Sequence, residues 1–433
     1  MTPSMQTGRP LQSFAFLRER RTALLLLFLA FALSILDRQI LSILAEPIRK
    51  EFNLSDTSLA LLSGFAFAMF YATLGIPLAL IADRGNRKRI VVWSLAIFSG
   101  MTFLTGLAQN FWQLALARFG VGIGEAGVNP SSHSILADYY PPEKRSSALS
   151  VLAMGANVGT LLALVAGGVV SQLYGWRTAL FVVGFPGILL ALVMAAALKE
   201  APRGFSENRR AAATPPPLHQ SLRYLWGSLA MRHIILASTV SATMTYGVSA
   251  FQPAFFARTH QLSQMETGFL LAGLLGVVGG VGALTGGWLT DKLQTRNPAF
   301  GVWMIGIAQL ISLPFTAVAY LAGSPALALA WLVVPVFFGN FFLGPSLALI
   351  QTLAPLRMRA ISAAVKMLFM NLVGLSCGPF IVGAVSDALK PAVGDDSLRY
   401  ALLSIHVLGF WSALHFFLCG RNMAAGIEAA KED

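Results

Sequence analysis

Charge is what this sequence has least of: 12% of its 433 residues are Asp, Glu, Lys or Arg, while 56% are hydrophobic. A soluble domain carries about twice that charged fraction, so an ordinary globular protein is excluded. Cysteine is also scarce. Cys377 and Cys419 both lie in apolar runs, which excludes a disulfide framework and any CxxC redox or zinc arrangement. No spacing of His, Cys, Asp and Glu supports a metal site, and no nucleophile sits beside a base within the apolar runs. Neither an enzyme nor a cofactor is expected. Polar sequence long enough for a soluble catalytic domain is missing as well.

What is present is a succession of apolar runs long enough to cross a bilayer, each needing roughly 20 residues. Hydropathy places six in the first half, near 22–47, 57–82, 89–108, 111–138, 146–171 and 177–198. Six more follow near 233–257, 266–290, 299–322, 325–353, 359–388 and 398–420. The fold class is therefore an all-α membrane protein of twelve transmembrane helices in two pseudo-symmetric six-helix bundles. The expected bundles are residues 1–198 and 233–433. Residues 199–232, rich in proline and arginine, form a linker. The first run follows Arg18, Arg20 and Arg21 like a signal peptide, but its pattern continues past Asp37 and Arg38 to Leu44, so it reads as helix 1.

The net charge of +12 would point to nucleic acid in a soluble protein. Here the basic residues fall in short segments between spans, where they report topology and no nucleic-acid partner. The segment Asp83 to Arg89 and the central linker carry the basic excess and are expected on the cytoplasmic side. The loop after helix 1 and the one before helix 12, with Asp395 and Asp396, face outward. Both termini are then inside, and the expected location is a bacterial inner membrane, with the bilayer as a partner and a monomer as the assembly.

The residues a bilayer should not tolerate are Asp37 in helix 1 and Arg118 and Glu125 in helix 4. The seven-residue spacing in Arg118-Phe-Gly-Val-Gly-Ile-Gly-Glu125 puts both on one helix face, about 10 Å apart along the axis. At 1.5 Å per residue, Asp37 lies at a depth between them. Two carboxylates facing one guanidinium would compete for it, and the one left unpaired would hold a proton more readily, which outlines a proton switch. Arg38, about 100° around helix 1 from Asp37, is expected to line another face or to reach a neighbouring helix. Lys366 is expected to snorkel toward the cytoplasm. No carboxylate falls inside a second-half span. Those helices instead bring hydroxyl, amide and aromatic groups, with Tyr246, Phe251, Asn340 and Asn371 as candidate cargo contacts beside Arg118 and Glu125.

The halves echo each other after their second helices, where Ala79-Leu-Ile-Ala-Asp83-Arg84 matches Gly287-Trp-Leu-Thr-Asp291-Lys292. This resembles the helix 2–3 motif of the major facilitator superfamily, Gly-x-x-x-Asp-Arg-x-Gly-x-Arg-Lys, with Ala79 at its first glycine and Gly85-Asn86 shifting the second. The resemblance implies a cytoplasmic gate at Asp83, Arg84, Arg87, Lys88, Asp291 and Lys292. Within that superfamily the first half resembles the spinster subfamily. The marks are Leu36-Asp37-Arg38, the Arg118 to Ala126 run followed by Pro130, Ala137-Asp138-Tyr139-Tyr140-Pro141 and Gly175-Trp176-Arg177. That likeness implies proton-coupling and headgroup roles for Asp37, Arg118 and Glu125. It also implies proton-coupled alternating access, with a lysophospholipid or sphingoid lipid as cargo and protons as the second partner. Proton-driven drug efflux and transport of a small organic anion are the alternatives.

Overall fold

The computed structural model describes residues 14–200, 218–355 and 358–432. It is helical throughout those residues, and the sequence dictates where each helix begins and stops. Helix 1 runs unbroken over Phe14–Phe52. Asn110, Ser324 and Asn297 accept hydrogen bonds from the first turns of helices 4, 10 and 9, satisfying amides that helix geometry leaves open. Pro142, Pro298 and Pro325 occupy first helical positions, where a missing N–H costs nothing. Helices 5 (Pro142–Tyr174) and 6 (Trp176–Ala197) are separated by Gly175 alone, whose φ of 85° a side chain would resist.

Ten helical stretches are long and apolar enough to cross a membrane. One of them, Ile361–Arg421, contains both helix 11 and helix 12. Helix 4 escapes a length criterion because it is broken into Phe111–Glu125 and Val128–Tyr139. Together these make the twelve expected crossings. Part of the expected linker is itself helical, Leu218–Gly227, and helix 7 (Leu229–Thr259) starts four residues earlier than hydropathy placed it. Residues 201–217 lie outside the described ones.

Helices 2, 8 and 11 each contain a widened π-helical turn, at Leu61–Phe65, Ala272–Val278 and Met370–Gly374. All three helices line the seam between the halves. At the end remote from the termini that seam is closed by backbone-to-backbone approach at glycine. A Cβ on Gly268 of helix 8 would come within 2.3 Å of the Leu164 carbonyl of helix 5, and one on Gly383 of helix 11 within 2.5 Å of the Asp56 carbonyl at the start of helix 2. Small residues are what allow transmembrane helices to come this close.

Substituting Gly268→Leu should therefore hold the remote end apart. Spin labels at the exposed Tyr174 and Tyr400, one in each half at that end, should report a longer distance than in the unsubstituted protein. An unchanged distance distribution would mean the seam tolerates a wedge and is not the closing surface.

Candidate functional site

Helix 1 and helix 4 run antiparallel, so descending one from Asp37 to Ser34 matches descending the other from Arg118 to Glu125. Two ion pairs sit one above the other along this contact, Asp37–Arg118 buried and Arg38–Glu125 buried on the acid's side only. Arg118 Nη1 donates to Asp37 Oδ2 at 3.1 Å, and the Thr102 hydroxyl of helix 3 donates to the other Asp37 oxygen. One level nearer the termini, Arg38 Nη2 donates to Glu125 Oε2 at 2.7 Å, joined by the Ser34 hydroxyl at 3.0 Å. Asp37, Arg118 and Glu125 are each at most 2% exposed.

This differs from the expected contest for one guanidinium. Arg118 and Glu125 stand about 10 Å apart along their helix, and each acid has an arginine of its own, Asp37 with Arg118 and Glu125 with Arg38. Of the two courses open to Arg38, it takes the one to a neighbouring helix. Its long side chain reaches round to Glu125, with its guanidinium carbon 4.8 Å from the Phe67 ring centre and 4.6 Å from that of Tyr71. Phe67 and Tyr71, one turn apart on helix 2, stack at 5.1 Å, and Phe67 also underlies Arg118 at 5.6 Å. Aromatic faces supply part of the solvation that water cannot.

The quartet is not saturated. Among the described residues, Arg118 Nε and Nη2, Arg38 Nε and Glu125 Oε1 have no hydrogen-bond partner. A narrow cavity of roughly 410 Å³, open mouth included, begins at Arg118 and runs toward the remote end.

The remaining candidates divide. Tyr246 of helix 7 donates to Asn371 Oδ1 of helix 11 at a long 3.4 Å, which brings an aromatic and an amide together across these two helices. Phe251 lines the cavity. Asn340 donates to the Val336 carbonyl of its own helix at 2.8 Å. Helix 7 hydroxyls likewise turn inward to their own backbone, as at Ser238, Thr239, Thr243 and Thr245. Lys366 does not snorkel: it is 1% exposed and donates to the Ser346 hydroxyl of helix 10 at 2.6 Å.

Of the expected gate, the side chains of Asp83 and Arg84 lie outside the described residues. Arg87 is held within the first half, by Asp138, by Glu200 at 2.7 Å and by the Ser134 hydroxyl at 3.0 Å, while the Lys88 amide donates to Glu200. It ties helices 3, 4 and 6 together. Asp291 and Lys292 are exposed, with the Lys292 ammonium over the Trp288 ring.

A cross-half lock at the remote end was not foreseen. Arg258 of helix 7 donates to Glu46 at 2.6 Å and to both oxygens of Asp56 at 2.8 and 2.7 Å. Asp387 of helix 11 accepts from the backbone amides of Asp56 and Thr57 at 3.0 and 2.8 Å, capping a helix that belongs to the other half. These residues sit at span ends, where charge was read as topology. The available signal was an arginine and an aspartate at second-half span ends, opposite an acid-bearing first loop.

With the geometry in place, the comparisons with known proteins define the class. The Major Facilitator Superfamily family model matches residues 27–418, and the chain belongs to that superfamily of membrane transporters. Within it, this is a spinster-type member. A bacterial homologue of the human lysosomal transporter Spinster, solved in an inward-facing, unoccupied conformation, superposes with a TM-score of 0.87 at 30% identity, covering 94% of this chain and 98% of that one. An MFS-type efflux pump of Mycolicibacterium smegmatis is 34% identical over 87% of each chain. A sphingosine-1-phosphate transporter of Xenopus tropicalis is 26% identical over 98% of this chain and 88% of its own.

Breaking one side of a largely buried ion pair costs about 3–5 kcal/mol, and the loss at Arg258 falls only on the conformer in which the halves meet. Arg258→Gln should therefore favour opening of the remote end by about a hundredfold or more, read as a shift in the Tyr174–Tyr400 distance populations. Asp387→Asn, which weakens a cap worth about 0.5–2 kcal/mol, should shift them less. The reverse order would remove Arg258 from the centre of the lock.

Proposed function

We propose that this transporter moves amphipathic lipids, of the lysophospholipid or sphingoid kind, by proton-coupled alternating access. The observation that carries the reading is the pair of stacked ion pairs around three buried charges, Asp37, Arg118 and Glu125, and a half-buried Arg38, whose two positive and two negative charges balance. An anionic headgroup brought to the free N–H groups of Arg118 adds one uncompensated negative charge in a medium that tolerates none. A proton on Asp37 or Glu125 restores neutrality. Cargo and proton then favour each other's binding, and the coupling is reciprocal by linkage.

Asp37, Glu125 and Arg118 are the coupling residues in this scheme, with Arg38 added as the partner of Glu125. Tyr246, Asn371 and Phe251 are the cargo contacts from the second half. The basic-rich end that carries the termini is cytoplasmic, so closure at Arg258, Glu46 and Asp56 makes the conformer inward-facing, as in the Spinster homologue it resembles. Asp83, Arg84, Asp291 and Lys292 would form the opposing gate when that end closes, and the working unit is a monomer in the cell membrane. Drug efflux is the second reading, favoured by the 34% identity to the mycobacterial pump.

Reconstitution into liposomes with an imposed pH gradient tests both readings. A lysophospholipid or sphingoid probe should be carried faster with the gradient than without it. Asp37→Asn and Glu125→Gln should each abolish that acceleration while leaving ligand-induced thermal stabilisation in place. Arg118→Ala should remove stabilisation by phosphate-bearing probes and spare neutral ones. Gradient-driven movement of a hydrophobic dye, with no lipid probe carried, would establish the efflux reading instead. A full pH response in the double Asp37→Asn, Glu125→Gln variant would place the coupling elsewhere.

A further inference from the structure

Helices 3 and 4 hold the quartet on one side and meet lipid on the other. Helix 3 spans Arg87–Thr105 and is one of the helices long and apolar enough to cross the membrane. Its Thr102 and the Arg118 of helix 4 both reach Asp37. The residues next to these two in the chain, Met101 and Ala117, line a groove that opens outward between the helices.

This groove has a floor, raised edges and one closed end. Ala108 and Ala117 are buried and form the floor, whereas Leu104, Leu107 and Leu116 stand exposed along the edges. Toward the middle of the bilayer it is stopped by Met101, which packs so closely on helix 4 that a Cβ at Gly120 would lie 2.6 Å from its side chain. At the remote end it opens beside Gln113 and the exposed Trp112, an amide and an indole at the depth where headgroups begin. The space inside is about 430 Å³, within the roughly 300–1,000 Å³ typical of ligand pockets. From Gln113 to Gly120 is seven residues of helix 4, about 10 Å, or two-thirds of the roughly 15 Å of hydrocarbon in one leaflet.

We propose that the groove is a binding site for one acyl chain of a glycerophospholipid from the leaflet at the remote end, with its headgroup beside Gln113 and Trp112. Lipid is already the medium on this face, so escape from water cannot hold the chain there, and close contact must. A slot that touches the chain on three sides supplies more dispersion contacts than a flat pair of helices does. The seated chain in turn braces helix 3 against helix 4 behind Thr102 and Arg118, which keeps both donors on Asp37. The inference does not depend on which cargo is carried.

The test uses the purified full-length chain in detergent. Native mass spectrometry counts the phospholipid that survives washing, and thermal unfolding reads the response to added palmitoyl-oleoyl phosphatidylethanolamine. The unsubstituted protein should retain one phospholipid, and its unfolding midpoint should rise as the lipid is added. Ala117→Leu, which fills the floor, should lose both properties. Leu104→Ala combined with Leu116→Ala lowers the edges at exposed positions, where folding is not at stake, and should weaken lipid binding about fivefold or more. Leu189→Ala combined with Leu192→Ala, at exposed positions of helix 6, should retain the lipid. Equal retention in every variant, or equal loss in the helix 6 control, would show that the lipid sits elsewhere and overturn the proposal. So would a single-chain lysolipid found in its place, or an unsubstituted protein that keeps no phospholipid and shows no thermal response.

Discussion

A charge in the bilayer core must find an opposite charge at its own depth, and the structure depends on how that requirement is met. Helix 1 supplies an acid and a base at adjacent positions, Asp37 and Arg38, and helix 4 supplies a base and an acid two turns apart. Asp37 meets Arg118 directly, and Arg38, one residue further along helix 1, reaches back toward the termini to meet Glu125. The cost of burying four charges is offset by pairing, by hydroxyls from Ser34 and Thr102, and by the faces of Phe67 and Tyr71. A close helix 4 is part of the same solution. A Cβ on Gly122 would lie 2.5 Å from the Phe67 carbonyl, and one on Gly124 2.6 Å from the Phe98 amide, so glycine on this helix keeps helices 2 and 3 near enough to close the site.

The second constraint is that the halves must separate at one end and then at the other. Apolar contact alone closes a seam weakly between helices surrounded by lipid, since lipid tails are as good a solvent for leucine as another helix is. The remote end instead joins the halves with directional, charge-assisted bonds at Arg258 and Asp387, and with glycine contacts that bring backbones together. Such bonds hold when aligned and are lost together when the halves rotate, which suits an element with two discrete states.

The twelve crossings and their approximate limits were legible because hydropathy is a long-range average that a few misplaced residues do not disturb. The intramembrane charges were legible for the opposite reason, as single violations of that average. Pairing was not, because reach and depth depend on how helices 1 and 4 align. A 100° rotation left Arg38 either on another face or reaching a neighbouring helix, and the length of an arginine side chain, which can wrap toward Glu125, decides for the second. Lys366 was sent to the surface by the same habit of treating a long cationic side chain as a snorkel, whereas Ser346 on the neighbouring helix offered it an acceptor. The break in helix 4 and the widened turns of helices 2 and 11 were hidden because glycine there, at Gly127, Gly64 and Gly374, also serves close packing.

The lock and the quartet lie on one line, and this suggests why the cavity sits where it does. Leu41, Ala45 and Ile48 continue helix 1 from Asp37 toward Glu46, so the helix that carries the lower charge pairs also carries one wall of the cavity and one arm of the lock. A rigid helix that joins all three converts a change at one into a tilt at the others. Protonating Asp37 weakens its tie to Arg118 and hence the contact between helices 1 and 4, while Glu46 at the far end of helix 1 stays bound to Arg49 on its own helix whether or not Arg258 is present. Asp56 has no such reserve. Its side-chain donors, Arg258 and Ser386, both belong to the other half, so opening leaves that carboxylate to water alone. Separation of the halves at this end therefore exchanges two donors from the other half for water at Asp56, and hydration of that carboxylate is what offsets the loss.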